Sequence, residues 1–210
     1  MDNRYSLGLY RHIESEKENA FKFLNKTTRA MYQDLLCDLI NCAYEIQNTE
    51  ELKQSHLDLL YQGMRQRHEM VFSYYSGRFV SILSHGFPEA ELLLKCLSDD
   101  RSAQIRFNAV TILLSRPCDS VIRYVVNKCA TDKSSKVRRK VPDVCNRLNL
   151  INMLPILESQ WIVEEDNAVK ESLNYSIRLL RDGFVLLDNG TDKKTLLTKL
   201  PDGTIKGTTV

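Results

Sequence analysis

The chain has 210 residues, of which 43% are hydrophobic, and its formal net charge at neutral pH is +2. This length suits one domain, or one domain with an appendage, and it is enough to bury a substantial hydrophobic core. No stretch approaches the ~20 consecutive apolar residues that a membrane-spanning helix needs, and residues 1–4 open into a polar segment instead of the apolar run of a signal peptide. We therefore expect a cytoplasmic protein with no membrane partner.

Residues 1–85 are predicted to form an N-terminal helical region that packs on the remainder of the chain. Residues 13–48 have the pattern of a short polar helix followed by a stronger one, in which apolar residues recur every three or four positions over a wide arc. A further helical pattern runs from Leu57 to about His85, either as one helix or as two helices that are broken near Gly77.

Residues 86–183 have the pattern of three helical pairs. The first helices are predicted at residues 88–97, 119–130 and 151–162, and the second helices at about 102–115, 134–148 and 166–181. Asp or Ser stands at the capping position of each second helix. Pro142 falls inside the middle second helix, where a proline removes a backbone hydrogen bond, so we expect a kink there or a helix that begins late.

Residues 184–210 have a different pattern. Short segments rich in β-branched or alternating residues occupy 184–187, 195–200 and 204–210, and turn signals precede or separate them at Asp182-Gly183, Asn189-Gly190 and Asp202-Gly203. These segments predict a small three-stranded β meander, with a frayed tail as the alternative.

One motif recurs every 32 residues within the helical pairs: an acid, then five residues later an apolar residue, then directly a cation. The three copies are Asp100-Ile105-Arg106, Asp132-Val137-Arg138 and Glu164-Val169-Lys170. Such a unit cannot bury its apolar face alone, so three units in one register indicate a stacked helical array. We expect each cation to bond to the turn acid of an adjacent unit and to hold the stack together.

These second helices resemble HEAT repeats, whose unit likewise carries an acid in the turn, then an apolar residue, a cation and a small or apolar residue. The resemblance covers about residues 86–183. Val141 and Leu173 replace the small residue that is usual in that family, and Pro142 interrupts one helix. The resemblance implies a mainly α, HEAT-like α-α superhelix, whose first helices form the convex face and whose second helices line the concave face.

Helical geometry leaves one face of each second helix open once its apolar residues point inward. The candidate partner-binding residues on this face are Phe107, Asn108 and Thr111 in the first unit, Lys136, Arg139, Lys140 and Asp143 in the second, and Glu171 and Tyr175 in the third. The same geometry places Gln104, Ala168 and Ser172 on this face. Aromatic side chains that flank an arginine are typical of interface hot spots. Alternatively, the two aromatic residues pack against a neighbouring helix.

Charge is distributed in bands along the chain. Residues 101–150 hold 11 Lys and Arg against 3 Asp and Glu, a net charge of +8, and part of this excess is the cluster Lys133, Lys136, Arg138, Arg139 and Lys140. Such a cluster could grip phosphates, but nucleic-acid binding would require further cations in the same rows of the neighbouring units. Arg139 aligns there with Phe107 and Glu171, and Lys140 aligns with Asn108 and Ser172. We therefore expect a protein partner with an acidic surface. Nucleic-acid binding of the DNA-alkylation-repeat type is the alternative.

The sequence offers little for catalysis. Its four histidines are scattered outside the repeats, its six cysteines form no C-x-x-C pair, and no metalloprotease, nucleophile-elbow or phosphate-loop motif occurs. We therefore expect a protein that is not an enzyme and that holds no metal and no cofactor. An adaptor or an inhibitor fits this expectation, and within that class an immunity protein that neutralises a toxin.

Overall fold

A computed structural model of the protein describes residues 17–18, 22, 26–188, 194–200 and 204–209. The fold is mainly α with a small antiparallel sheet near the C-terminal end, as the sequence predicts. None of the helices in the described ranges has the length and apolar character needed to cross a membrane. The chain forms two compact units, Met1–Leu97 with Ser115–Val121, and Ser98–Leu114 with Ile122–Val210.

The first unit contains helix α1 (Lys26–Thr49), helix α2 (Gln54–Met64), a π-helix (Met70–Gly77) and helix α3 (Arg78–Leu83). The break that the sequence predicted near Gly77 lies instead at residues 65–68, so that part of the prediction was wrong. Gly77 has helical dihedrals, and the chain passes there directly from π to α geometry. Residues 65–67 are Arg-Gln-Arg, which offer no apolar side chain for burial, and this explains the position of the break.

Gly63 allows α2 to lie close to the π-helix. A Cβ atom at Gly63 would lie 2.0 Å from the Ser76 Oγ, so no other residue fits there without a shift of the serine. The same Ser76 Oγ donates a 2.8 Å hydrogen bond to the Val71 carbonyl, five residues earlier. That spacing is the repeat of a π-helix, and the serine therefore adds a side-chain bond to the widened backbone.

The helices of the three predicted pairs follow. In chain order they are α4 (Pro88–Ser98), α5 (Ala103–Ile112), α6 (Asp119–Ala130), α7 (Ser135–Arg147), α8 (Leu154–Val163) and α9 (Asn167–Asp182). Short 3-10 turns extend α5 at its end and precede α8. Within the second unit α5 packs on α7, and α9 packs on both α7 and α8. The predicted second helices α5, α7 and α9 thus lie side by side.

Helix α7 runs through Pro142 without interruption and begins at Ser135, so the alternative of a late start was wrong. Ser134 has extended dihedrals at the N-cap and starts the helix where the sequence pattern places it. Pro142 is buried on the same side as Val141 and Cys145. Packing of this apolar face compensates for the one backbone hydrogen bond that the proline lacks.

The sheet consists of β1 (Phe184–Asp188), β2 (Lys194–Lys199) and β3 (Ile205–Thr209) in the order β1-β2-β3. Both pairings are antiparallel, with Val185 opposite Leu197 and Leu197 opposite Gly207. Gly183 ends α9 in the left-handed conformation, with φ of 77°, which allows the chain to turn into β1. Strand β1 packs on α9 and buries Val185. The turn signals Asn189-Gly190 and Asp202-Gly203 lie outside the described residues.

Two buried arginine–carboxylate pairs connect successive second helices, and we call them the turn ladder. Arg106 bonds to both Asp132 oxygens, at 2.5 and 2.8 Å, and Arg138 bonds to both Glu164 oxygens at 2.7 Å. A third nitrogen of each arginine donates to the carbonyl of the acid in its own unit, Asp100 for Arg106 (2.8 Å) and Asp132 for Arg138 (2.7 Å). The predicted bonds to the turn acids of an adjacent unit are confirmed for both arginines.

Each ladder acid also caps the turn before its own second helix. Asp132 accepts the Ser134 N–H at 2.8 Å, and Glu164 accepts the Asp166 N–H at 3.0 Å. The third repeated cation behaves differently, because β1 and not a fourth helical pair follows α9. Lys170 Nζ lies 5.6 Å from the centroid of the Trp161 ring, so the prediction of a ladder bond for Lys170 was wrong.

The turn ladder predicts how the stability of the fold depends on pH. The Arg138 hydrogen bonds, aided by the Asp166 N–H and the Gln160 amide, lower the pKa of Glu164 to about 2, although burial alone would raise it. An unfolded glutamate has a pKa of about 4.3, so the stability from this carboxylate is complete above that pH and is lost as the pH falls toward 2. We expect the free energy of unfolding, measured in denaturant from pH 6 to pH 2, to fall less steeply for Glu164→Gln. Parallel curves for the two proteins would contradict this account.

Candidate functional site

A groove of about 570 Å³ lies among α5, α7 and α9, and we call it the central groove. Its lining residues are Phe107, Ser135, Lys136, Arg139, Lys140, Asp143, Asp166, Ala168, Val169 and Ser172. The structure therefore brings together Phe107, Lys136, Arg139, Lys140 and Asp143 of the predicted site, as well as Ala168 and Ser172 from the same predicted face.

The sequence of α7 explains why its polar side chains reach this groove. Val137, Val141 and Cys145 recur every four residues and are fully buried. A helix that buries this stripe turns the residues between its members to the opposite side. Lys136, Arg139, Lys140 and Asp143 occupy those positions, and their side chains are exposed or partly exposed.

An aromatic ring and two lysines occupy one wall of the central groove. Lys136 Nζ lies 4.5 Å from the centroid of the Phe107 ring, and Lys140 Nζ lies 6.0 Å from it. Lys136 also donates to Gln104 Oε1 at 3.1 Å, and Lys140 donates to Asp143 Oδ2 at 2.7 Å. Cation–π contacts of this kind hold a lysine over the ring face. The two ammonium groups are therefore positioned before any partner arrives.

Arg139 differs from the other cations of the groove. Its side chain is exposed, and within the described part of the chain its guanidinium makes no hydrogen bond and no ion pair. Its neighbour Arg138 is bonded to Glu164 in the turn ladder. Arg139 is thus a groove cation with five unused N–H donors.

Two predicted site residues are not available to a partner. Asn108 is completely buried and Thr111 is 5% exposed, so their assignment to an open face was wrong. Thr111 Oγ1 donates to the Phe107 carbonyl at 2.9 Å, and Gln104 Nε2 donates to Asn108 Oδ1 at 2.9 Å. Residues 108–112 are all buried, which is more than one helical turn, so α5 is covered on every side over this length. The prediction assumed that each second helix has one face open to solvent, and this part of α5 has none.

Glu171 and Tyr175 lie on α9 and are not among the residues that line the groove. Glu171 is exposed, and Tyr175 is partly buried. Burial, and next the nearby carboxylate of Asp143, raise the pKa of Tyr175. Tyr175 is therefore near one lining residue, Asp143, although it does not itself line the groove.

Three lining residues were missed by the reasoning from sequence: Ser135, Asp166 and Val169. Ser135 begins α7, and Asp166 caps α9 by accepting the Val169 N–H at 3.1 Å. Val169 belongs to the buried stripe of α9 and forms part of the groove floor. The capping pattern shows where the helices start, but only their packing shows that two of these starts meet at one groove.

Within the described residues, no three His, Cys, Asp or Glu side chains gather in an arrangement that could hold a metal ion. The six cysteines are all free thiols. Burial raises the pKa of Cys42, Cys129 and Cys145 to about 12, so these three stay protonated at neutral pH.

Comparisons with protein-family models, with curated proteins and with solved structures find no match to this chain. A functional proposal therefore rests on the geometry and chemistry of the chain itself.

The structure predicts opposite roles for two adjacent arginines. Arg138→Met should lower the free energy of unfolding by about 3–5 kcal/mol, because it leaves the buried Glu164 carboxylate unpaired. Arg139→Met should change it by less than about 0.5 kcal/mol, because the exposed guanidinium makes no bond to the described chain. Urea unfolding of both variants beside the wild type measures the difference. Similar losses from the two substitutions would show that Arg139 is part of the scaffold.

Proposed function

We propose that this chain is a non-catalytic helical-repeat protein of the HEAT type that binds another protein through the central groove. It acts in the cytoplasm as an adaptor or an inhibitor, and a toxin-neutralising immunity protein is one member of that class. The observation that carries the proposal is an exposed arginine, Arg139, which has no partner among the described residues. It lines the same groove as an aromatic ring that is already flanked by lysines.

The turn ladder supports the repeat character of the chain. The bonds that Arg106 makes to Asp132 and Asp100 recur, 32 residues later, as the bonds that Arg138 makes to Glu164 and Asp132. The same side chains in the same roles at one period are typical of repeat proteins, in which each unit contacts its neighbours. An acid in the turn and a cation on the second helix are also the features in which the sequence resembles HEAT repeats.

The chemistry of the groove indicates the kind of partner. Arg139 can form a bidentate pair with a carboxylate, because its planar guanidinium presents two parallel N–H groups. Phe107 offers a partly buried ring for apolar contact beside that cation. Arginine and aromatic residues are the side chains most often found at binding hot spots. We therefore propose a partner that places an acidic side chain and an apolar side chain next to each other.

Nucleic acid is the less well supported partner. Of the five clustered cations, Arg138 is largely buried and paired with Glu164, whose side chain is 2% exposed, and Lys140 is paired with Asp143. Lys136 is held by Phe107 and Gln104. A track for a phosphate backbone needs a row of available cations, and within the described residues the pairing leaves Lys133 and Arg139 of this cluster without an ion pair or a ring contact.

The proposal predicts a specific loss of partner capture. The tagged full-length chain is used as bait in a lysate of the cells that produce it, and retained proteins are identified by mass spectrometry. Arg139→Glu should weaken capture of the partner at least about tenfold, because it replaces an attractive contact by a like-charge one. Phe107→Ala should weaken the same interaction through loss of the apolar contact.

Arg123→Glu is the matched control. It makes the same charge change at an exposed position of α6, outside the groove, and should leave capture unchanged. Thermal unfolding of each variant confirms that the fold is retained. Equal capture by Arg139→Glu and wild type would refute this placement of the site. Retention on DNA or RNA that falls steeply with added salt would favour the nucleic-acid alternative instead.

A further inference from the structure

The first unit carries a separate cleft of about 430 Å³ at the start of the π-helix, and we call it the π-helix cleft. Its polar lining residues are His68, Glu69, Ser73, Tyr74, Arg78 and Ser115. Clefts that bind small molecules have volumes of roughly 300–1,000 Å³ and a few converging polar groups. The π-helix cleft meets both conditions and shares no residue with the central groove.

One buried polar atom of this cleft lacks a hydrogen-bond partner within the described chain. His68 Nδ1 is buried and has no hydrogen-bond partner, while its ring lies 5.9 Å from the Tyr32 ring. A buried polar atom without a hydrogen-bond partner destabilises the folded protein, because its hydration is lost and no protein group replaces it. The Nδ1 atom is thus unsatisfied in the described chain, while other atoms of the same residue line the cleft.

Arg78 is held in a position that leaves its donors available. Its guanidinium lies 5.4 Å from the centroid of the Tyr74 ring, and it makes no hydrogen bond or ion pair with any described residue. Tyr74 in turn packs edge-on against Tyr75, with ring centroids 5.0 Å apart and planes at 73°. Contact with an aromatic face restrains a guanidinium while its N–H groups remain free at the edge. Arg78 is thus a preorganised site for an anion.

The backbone at this cleft is unusual in a way that favours a functional role. All eight residues of Met70–Gly77 are π-helical, whereas π geometry is rare and is found mostly as single turns, often at functional sites. Ser73 and Tyr74 of this π-helix line the cleft, and α2 approaches the same π-helix closely where Gly63 lies against Ser76. The cleft is therefore built on a supported element.

We propose that the π-helix cleft binds a small organic anion, whose carboxylate or phosphate group is held by Arg78 and hydrogen-bonded by His68. Glu69 lines the same cleft and would oppose a bare anion. It suits a ligand that also carries an ammonium group, because that group pairs with the Glu69 carboxylate. The ligand class is a small zwitterion with one anionic end and one cationic end.

Two matched probes test the proposal on the full-length chain. Phosphoethanolamine and β-alanine carry the same ammonium group and the same two-carbon spacer but differ in the anion. Each is titrated at pH 7 while the ¹⁵N resonances of the His68 ring, assigned with His68→Gln, are followed by NMR. We expect a saturable shift of a His68 ring resonance with at least one probe, and the tighter probe identifies the anion.

Variants of the exposed arginine make the test specific. Arg78→Met should weaken binding about tenfold or more, the size of effect expected when a charged hydrogen-bonding partner is lost. Arg123→Met removes an exposed cation of the second unit and should leave the affinity unchanged. The absence of a saturable His68 shift with both probes would overturn the proposal. An affinity that is unchanged in Arg78→Met would overturn it as well.

Discussion

The second unit depends on one interaction, the buried pairing of an arginine with the turn acid of the following helical pair. Arg106 and Asp132 are each only 6% exposed, and Glu164 is 2% exposed. A buried charge is very costly unless it is paired and hydrogen-bonded. Neighbouring second helices are therefore restricted to the one register that brings each arginine to its acid. Since each acid also caps its own turn, the ladder sets both where a helix begins and which helix lies beside it.

The ladder explains why adjacent residues on α7 have different roles. Arg138 is part of the repeat and is used inside the structure, whereas Arg139 is turned about 100° around the helix and reaches the central groove. Positions that repeat from unit to unit supply the scaffold. Positions that vary, such as Phe107, Arg139 and Glu171, form one row of different side chains on that scaffold. The ladder does not use these positions, so their side chains can differ from unit to unit without loss of the stack.

The first unit is organised by different constraints. The absence of a side chain at Gly63 allows α2 to lie close to the π-helix, and the buried Nδ1 of His68, just before the π-helix, lacks a hydrogen-bond partner in the described chain. The second unit also has buried polar atoms without described partners, in Asn146, Ser176 and Lys199, where burial lowers the pKa of the lysine. The sequence does not show which polar atoms lack a partner, because that depends on which side chains surround them in the folded protein. The atoms in the second unit differ from the π-helix cleft in that no open cavity adjoins them among those described.

The sequence by itself determined the helices of the three pairs, the β meander and the identity of the ladder residues. Each of these follows from a local period or from chemistry that repeats along the chain. Only the tertiary structure decided that Asn108 and Thr111 are buried, that Lys170 lies over Trp161 and that Met70–Gly77 is a π-helix. The physical reason is that the sequence of a helix shows which of its faces is apolar. How many neighbouring elements cover that helix depends on the assembled fold. Lys170 shows the same limit, since its partner would belong to a fourth unit that the chain replaces with a strand.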